Sequence, residues 1–178
     1  MLSSSRSRVT PETPYVGPAW WHAALVLLVA LLFQTTFAHA LAFRDAVPSA
    51  FLVAVVWYAS RVDARRAAIF GFAAGLCEDL LSGGTGGAWT LSTTVVASGI
   101  GFASSNFFAD SMVLAAATAF VATLVRNAVF WVLMAMGGYP SGMGVRHFHQ
   151  TLWQALLDAI AIVVVMLLVR WRENYITR

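Results

Sequence analysis

The distribution of apolar residues divides the chain into about six hydrophobic runs separated by short polar segments. The first run covers residues 20–42 and is long enough for a helix that crosses a bilayer. The others cover residues 47–60, 67–81, 88–103, 111–136 and 151–169. This pattern predicts an all-α fold, a polytopic membrane bundle of about six transmembrane helices, with residues 19–170 forming one domain.

The second and third runs are short, because at about 1.5 Å per residue each helix would cover only roughly 21 to 24 Å. A re-entrant hairpin is therefore an alternative. It would place the linker residues Arg61, Asp63, Arg65 and Arg66 inside the bilayer. Each arginine at that depth costs roughly 2.5 to 3.5 kcal/mol. Two separate spans leave these charges in water, so we predict two spans.

The two ends of the chain differ from its interior. Residues 1–18 are polar and include three prolines, which predicts a disordered cytoplasmic tail, and residues 171–178 form a charged cytoplasmic tail. A cleavable signal peptide competes for the first run, because Ala38-His39-Ala40 has the form of a cleavage site. The length of that run favours a membrane span.

Residues 82–87 predict a glycine-rich turn, and residues 137–150 a polar loop.

The arginines predict the orientation. Six spans would place both termini and the linker around Arg61 on the same side. That side would carry eight arginines and the opposite side two; the eight are Arg6, Arg8, Arg61, Arg65, Arg66, Arg170, Arg172 and Arg178, and the two are Arg44 and Arg146. Cytoplasmic loops carry the excess of positive residues in membrane proteins. Both termini are therefore predicted to be cytoplasmic.

The overall composition agrees with an apolar solvent. Hydrophobic residues make up 60% of the chain and charged residues only 11%, against about 25% charged residues in a typical soluble domain. The net charge of +3 does not indicate nucleic acid binding, because the arginines are scattered and form no basic stripe with interleaved aromatic residues. The single cysteine, Cys77, excludes an internal disulfide.

The third run carries a candidate contact site. Gly71 and Gly75 form a Gly-x-x-x-Gly pair, which lets a second helix approach closely. Glu78 and Asp79 follow at spacings that keep all four residues within one helix face, at about 100° per residue. This face is either a packing seam whose acids reach the outer water, or a polar contact site for a partner or ligand.

Arg126 lies deep inside the fifth run, where an unpaired charge would be costly. It is roughly 15 Å from the outer end of that run, and Asp158 is roughly 10 Å into the sixth run from the same side. We therefore predict a buried Arg126–Asp158 pair. Glu78, Asp79 or a group on a partner protein are the alternative partners of Arg126.

The sequence contains no pattern that predicts an enzyme. His147 and His149 have no third ligand at a spacing diagnostic of metal binding, so no metal is expected. A nucleophile elbow, a Walker motif and a dinucleotide-binding glycine pattern are all missing from the sequence. Catalytic residues and cofactors are therefore not predicted.

Three stretches resemble the rod shape-determining protein MreD family. They are Gln34-Thr35-Thr36-Phe37, the segment from Gly71 to Gly83 with its Gly-Phe-x-x-Gly-Leu-x-x-Asp pattern, and the segment from Gln150 to Asp158. The likeness extends over roughly residues 20–170. The family often has Pro-Asp at the start of the second span, whereas this chain has Pro48-Ser49. That departure puts an acidic role at residue 49 in doubt.

The resemblance implies a multi-pass protein of the bacterial cytoplasmic (inner) membrane that is a non-enzymatic scaffold of peptidoglycan elongation. It implies binding to a bitopic MreC-like protein and, through it, to MreB, RodA and a penicillin-binding transpeptidase, within membrane lipid and without nucleic acid. The family is also distantly similar to the S-components of energy-coupling-factor transporters. A small-solute-binding transport component is therefore the alternative function.

Overall fold

The computed structural model describes residues 18–83, 85–104, 111–138 and 144–176. The described residues form six α-helices, and the only extended pairing among them is an isolated bridge between Phe43 and Ala46. The helices are α1 (Trp20–Thr36), α2 (Ala50–Ala59), α3 (Ala64–Leu81), α4 (Ala88–Ser104), α5 (Met112–Met136) and α6 (Gly144–Ile176). The all-α prediction is confirmed. Almost all of the predicted N-terminal tail, residues 1–17, lies outside the described residues.

Three predicted boundaries are wrong. The first run does not continue as one helix to residue 42, because α1 ends at Thr36 and a short 3₁₀ turn, Ala38–Leu41, follows. The sixth helix begins at Gly144 instead of near residue 151, so His147 and His149 are helical. It also continues through most of the predicted tail to Ile176. Polar residues at helix ends carry no apolar signal, and hydropathy therefore misplaces such ends.

The short helix α2 forms the centre of the bundle. It packs against α1, α3, α4, α5 and α6. Eight of its ten residues are buried, and they are uniformly apolar or aromatic, including Phe51, Leu52, Val55 and Tyr58. At about 1.5 Å per residue, α2 is only roughly 15 Å long, which is half of a bilayer core of about 30 Å.

The chain enters α2 through a buried, non-helical segment. Ala46, Pro48 and Ser49 are all buried, and Ser49 is the N-cap of α2. Irregular backbone at membrane depth is tolerated only where protein covers it. The start of α2 therefore places unpaired backbone N–H groups inside the bundle, and the site described below supplies their acceptors.

Small residues bring α3 and α4 into close contact. A Cβ added to Gly75 would lie 2.6 Å from Thr90 Cα and 2.7 Å from the Trp89 carbonyl oxygen. One added to Gly71 would overlap the Ala97 side chain, and one added to Gly101 would lie 2.7 Å from Ala67 Cβ. The two backbones approach so closely that only glycine fits at these positions.

The bundle buries several polar side chains in its core and exposes many large apolar side chains. Buried polar residues include Thr93, Thr123, Arg126, Asn127 and Asp158. Large apolar side chains point outwards, among them Leu28, Leu32, Phe72, Leu76, Val95, Val121, Ile160 and Leu167. Two helical segments, Met112–Met136 and Arg146–Arg172, are long and apolar enough to cross a membrane, with mean hydropathies of 1.7 and 2.5. Lipid as the surrounding solvent explains this arrangement.

Candidate functional site: a buried polar network around Arg126

Arg126 of α5 forms an ion pair with Glu78 of α3. Its Nη1 donates to both carboxylate oxygens, at 2.8 Å to Oε1 and 2.9 Å to Oε2. The Arg126 side chain is 1% exposed and that of Glu78 is 13% exposed. Arg126 lies ten residues before the end of α5, or roughly 15 Å along the helix axis. The pair therefore lies near the middle of α5, away from both of its ends.

The second carboxylate, Asp158 of α6, binds the N-terminus of α2. Its Oδ1 accepts a hydrogen bond from the backbone N–H of Ser49 at 2.7 Å, and its Oδ2 accepts one from the Thr123 hydroxyl at 2.9 Å. Asp158 is fully buried. The N-terminus of a helix carries a partial positive charge and unpaired N–H groups, which together stabilise an anion. This contact gives the buried Asp158 side chain and the N-terminus of α2 their hydrogen-bond partners.

Two further acceptors complete the N-terminus of α2. The Gln34 side chain of α1 accepts from the N–H of Ala50 at 2.7 Å, and the Ser49 hydroxyl oxygen accepts from the N–H of Leu52 at 3.1 Å. Because each N–H would otherwise be buried without a partner, these contacts fix where α2 begins.

The contacts of Arg126 correct the prediction of a direct Arg126–Asp158 pair. Arg126 binds Glu78, the alternative partner, and Asp158 is bound by Ser49 and Thr123. Ser49 lies between Asp158 and the Arg126–Glu78 pair. Its backbone N–H donates to Asp158, and its hydroxyl lies 3.0 Å from Glu78 Oε1 and 3.3 Å from Arg126 Nη1. Depth alone could not select between two acids at similar depths on different helices.

Trp89 covers the other side of the arginine. The guanidinium carbon of Arg126 lies 4.8 Å from the centre of the Trp89 ring, which is within the range of a cation–π contact. The same indole stacks on Phe130, with ring centres 3.9 Å apart. Among the described residues, Nε of Arg126 has no hydrogen-bond partner. The arginine is thus held between a carboxylate and an aromatic face.

Asp79 has a separate structural role from its neighbour Glu78. Its carboxylate accepts hydrogen bonds from the backbone N–H of Thr90 at 2.8 Å and of Trp89 at 3.3 Å, and from the Thr85 and Thr90 hydroxyls. It therefore caps α4 from a neighbouring helix. Successive helix positions differ by about 100°, so the two adjacent acids reach different neighbours.

The two loop histidines predicted from sequence lie on the first turns of α6, in an aromatic environment. His147 stacks near Phe130 and Trp131, with ring centres 5.8 and 5.7 Å apart, and His149 lies 6.4 Å from Trp153. Within the described part of the chain, no group of three or more metal-binding side chains comes together.

The sequence alone does not identify Ser49, Gln34, Thr123 or Trp89 as members of the network. Ser49 carried a usable signal, because a serine that follows proline at the start of an apolar run is typical of a helix N-cap. Gln34 stood in one of the family-like stretches. Neither signal indicates which buried group the residue contacts.

The network contains residues from every described helix. Besides the groups above, Thr93 of α4 lies 3.4 Å from Glu78 Oε2, and Asn127 of α5 lies 3.3 Å from Gln154 Oε1 of α6. Contacts of this kind restrict the relative positions of the helices, because moving one helix would leave buried polar groups of its neighbours without their partners. The geometry is suited to holding one packed form of the bundle.

The family model described as rod shape-determining protein MreD matches residues 18–173. No curated protein and no solved structure matches the chain. The matched segment includes α1 to α5, α6 except for its last three residues, and every residue of the network.

Proposed function

Because the chain belongs to the rod shape-determining protein MreD family, we propose that this cell-shape-related membrane protein is a non-enzymatic scaffold subunit of the peptidoglycan elongation machinery. Its direct partner in this proposal is a bitopic MreC-like protein. MreB, RodA and a penicillin-binding transpeptidase are reached indirectly through that partner. This assignment of partners rests on the family resemblance.

The observation that carries the proposal is the enclosure of the polar network. Glu78, Arg126 and Asp158 bind groups of the same chain, and large apolar side chains cover the outer faces of the helices. Such a bundle is a rigid body with an apolar surface, which can pack against the membrane helix of a partner. Helix association in lipid depends on packing of this kind.

The proposal includes a topology of six spans in the bacterial cytoplasmic membrane with both termini in the cytoplasm. The helix order supports an even number of crossings, and the arginine asymmetry supports the orientation. The half-length helix α2 completes its crossing through the buried segment that precedes it. In this topology Arg61, Arg65 and Arg66 face the cytoplasm.

The predicted contact face on α3 acts within the chain. Gly71 and Gly75 lie against α4, Glu78 binds Arg126, and Asp79 caps α4. We propose that these residues shape the bundle that the partner binds, and that the partner itself contacts outward apolar residues. The outward side chains of α1, α5 and α6 are available for this contact, for example Leu28, Val121 and Ile160.

The structure offers less support for a solute-binding transport component similar to an energy-coupling-factor S-component. Such a protein needs a cavity large enough for its ligand, typically about 300 to 1,000 Å³. A groove between α2, α5 and α6 encloses about 10 Å³, which is room for roughly one water molecule. The buried charged side chains Glu78, Arg126 and Asp158 are bound by groups of the chain itself.

Co-purification tests the scaffold proposal. The tagged chain is co-expressed with an MreC-like protein, extracted in mild detergent and captured through its tag. Retention of the MreC-like protein is expected, whereas an unrelated bitopic protein, expressed at the same level, should be lost. Bulky variants on outward faces, Leu28→Trp, Val121→Trp and Ile160→Trp, then locate the interface among variants that melt like the parent chain. A well-folded parent chain that retains neither protein would contradict the proposal.

A further inference from the structure

The outward sides of α3 and α4 form one apolar surface. The glycines of the two helices hold their backbones in contact, and Gly101 lies against Ala67. Because the helices are antiparallel neighbours, the next residue of α4, Phe102, lies at the height of Arg66 on α3. We call this side of the bundle the α3–α4 surface. Its exposed large apolar residues are Ile69, Phe72, Leu76, Leu80, Leu81, Leu91, Val95 and Phe102.

The α3–α4 surface is too short for a bilayer of ordinary thickness. Its apolar residues extend from the height of Arg66 to Leu81, which is roughly 22 Å at about 1.5 Å per residue. The hydrocarbon core of a typical bilayer is about 30 Å thick. Tilting a helix shortens its reach across the membrane, so tilt cannot remove this deficit.

Polar groups border the surface at both ends. At one end Asp63 is the N-cap of α3, and Asp63 and Arg65 are both exposed. At the other end the exposed turn contains Ser82, Gly83 and Gly86, and the two glycines have positive φ angles of 72° and 62°. A long arginine side chain can extend towards the headgroups. The backbone groups of a turn cannot do so, and irregular backbone is not found exposed to hydrocarbon. The glycine turn therefore sets where the hydrocarbon must end.

The side formed by α5 and α6 is taller. Exposed apolar residues extend from Val113 to Met136 on α5 and from Phe148 to Trp171 on α6, which is roughly 34 Å on each helix. Tilt fits helices of this length to a hydrocarbon core of about 30 Å. The two sides of the bundle therefore need different hydrocarbon thicknesses, and only the taller side can adjust by tilting.

We propose that the α3–α4 surface binds phospholipids with short acyl chains and thins the bilayer beside it. A helix surface that is too short draws the two leaflets together, because compressing acyl chains costs less than placing turn backbone in hydrocarbon. The inference depends on the spans of α3 and α4 in the topology proposed above. It assigns lipid to this surface and leaves the outward sides of α1, α5 and α6 to the protein partner.

Competition between lipids at two labelled positions tests the proposal. In the full-length Cys77→Ala chain, a bimane label is attached at Val95→Cys on the α3–α4 surface or at Ile160→Cys on α6, both exposed and near mid-height. Each variant is reconstituted with brominated dioleoyl phosphatidylcholine, which quenches the label, together with dimyristoleoyl or dierucoyl phosphatidylcholine. At Val95→Cys we expect the short-chain lipid to relieve quenching several-fold more effectively than the long-chain lipid. At Ile160→Cys we expect no preference for the short-chain lipid.

Shortening the surface should strengthen the preference. Leu80 and Leu81 are 76% and 50% exposed, and the double substitution Leu80→Ser and Leu81→Ser moves the apolar edge back to Leu76, by roughly 7 Å. The preference for the short-chain lipid at Val95→Cys should then increase. Met136→Ser is the matched control, because it removes an exposed apolar residue from the same end of the taller side. It should leave the preference at Val95→Cys unchanged.

Three results would overturn the proposal. Equal preferences at Val95→Cys and Ile160→Cys would mean that one thickness surrounds the whole bundle. A label at Val95→Cys that brominated lipid does not quench would mean that protein, such as a second copy of the chain, covers the surface. An unchanged preference in the double serine variant, melting like the parent chain, would mean that the height of the surface does not cause the preference.

The first two results need no change to the α3–α4 surface beyond the label, so they decide the proposal even if the double serine variant does not fold. None of the three bears on the scaffold proposal, which co-purification with the MreC-like protein tests separately.

Discussion

Arg126 and Glu78 lie on different helices, 48 residues apart, and Arg126 Nη1 contacts both oxygens of the Glu78 carboxylate. The pair belongs to a connected set of contacts at the centre of the bundle, because Ser49 links it to Asp158 and to the start of α2. Breaking one partner of a buried pair leaves an uncompensated charge, which is more damaging than losing the interaction alone. The contribution of this pair can be measured by removing each partner separately and then both.

A double-mutant cycle with Arg126→Met and Glu78→Gln should therefore show strong coupling. Each single variant is expected to lose about 3 to 5 kcal/mol of unfolding free energy if the membrane protein behaves like soluble ones, and less if water reaches the site. The double variant should lose much less than the sum of the two. Unfolding in detergent micelles measures all three. Additive losses would mean that the pair is not coupled in the folded protein.

The exposed pair Arg146–Asp45 is the matched control for this cycle. Its nitrogen and oxygen are 3.6 Å apart, and both side chains are 74% exposed. Exposed ion pairs contribute between zero and about 1 kcal/mol. The variants Arg146→Met and Asp45→Asn should therefore unfold almost like the parent chain.

Gly75→Ala should destabilise the contact between α3 and α4. The new methyl group would lie 2.6 Å from Thr90 Cα, and backbone atoms cannot move aside as a flexible side chain can. Overpacking of this kind costs about 1 to 3 kcal/mol. Thermal unfolding in detergent measures the loss.

Gly99→Ala provides the comparison on α4. An added Cβ at Gly99 has no heavy atom within 4 Å, so alanine should be neutral or stabilise the helix by up to about 1 kcal/mol. If Gly75→Ala and Gly99→Ala melt at the same temperature, the close approach of α3 and α4 is absent in the membrane protein.

Substitutions of Asp158 should separate the need for an acceptor from the need for a charge. Asp158→Leu removes every acceptor and leaves the Ser49 N–H buried and unpaired, which costs about 1 to 3 kcal/mol beyond the loss of the Thr123 contact. Asp158→Asn keeps one oxygen that can accept from Ser49 and should be milder. Unfolding measurements rank the two variants. If Asp158→Asn lowers the unfolding free energy more than Asp158→Leu does, Asp158 does not act as the acceptor for the N-terminus of α2.

Thr123→Val tests the same carboxylate from its other side. It removes a hydroxyl that donates to Asp158 and should destabilise the chain by about 1 kcal/mol. Thr94→Val is its control, since the Thr94 hydroxyl donates to the carbonyl of Thr90 on its own helix. Equal losses in both variants would mean that the contact with Asp158 contributes no more stability than a hydrogen bond within one helix.

The proposed topology predicts cytoplasmic labelling at the linker between α2 and α3. In a Cys77→Ala background, a cysteine introduced by Arg65→Cys should react with a membrane-impermeant maleimide only after the membrane has been permeabilised. Arg44→Cys, on the opposite side in this topology, should react in intact cells. Labelling of Arg65→Cys in intact cells would reverse the orientation or change the number of spans.

The sequence by itself determined the class of the protein and most of its helices. Long apolar runs with few charges are typical of helices in lipid, and the runs correspond to α1 through α6 apart from their ends. It also identified Gly71 and Gly75 as a site of close approach and Arg126 as a charge that needs a partner. These conclusions follow from local chemistry, because hydropathy, side-chain size and charge act within one segment.

Only the tertiary structure decided which segments meet. It selected Glu78 as the ion-pair partner of Arg126, placed Asp158 at the N-terminus of α2, and started α2 at a buried serine. Hydropathy along one helix does not specify the rotation of that helix or its neighbours, so two acids at similar depths looked equivalent. Their roles depend on which helix face each residue occupies once all six helices have packed together.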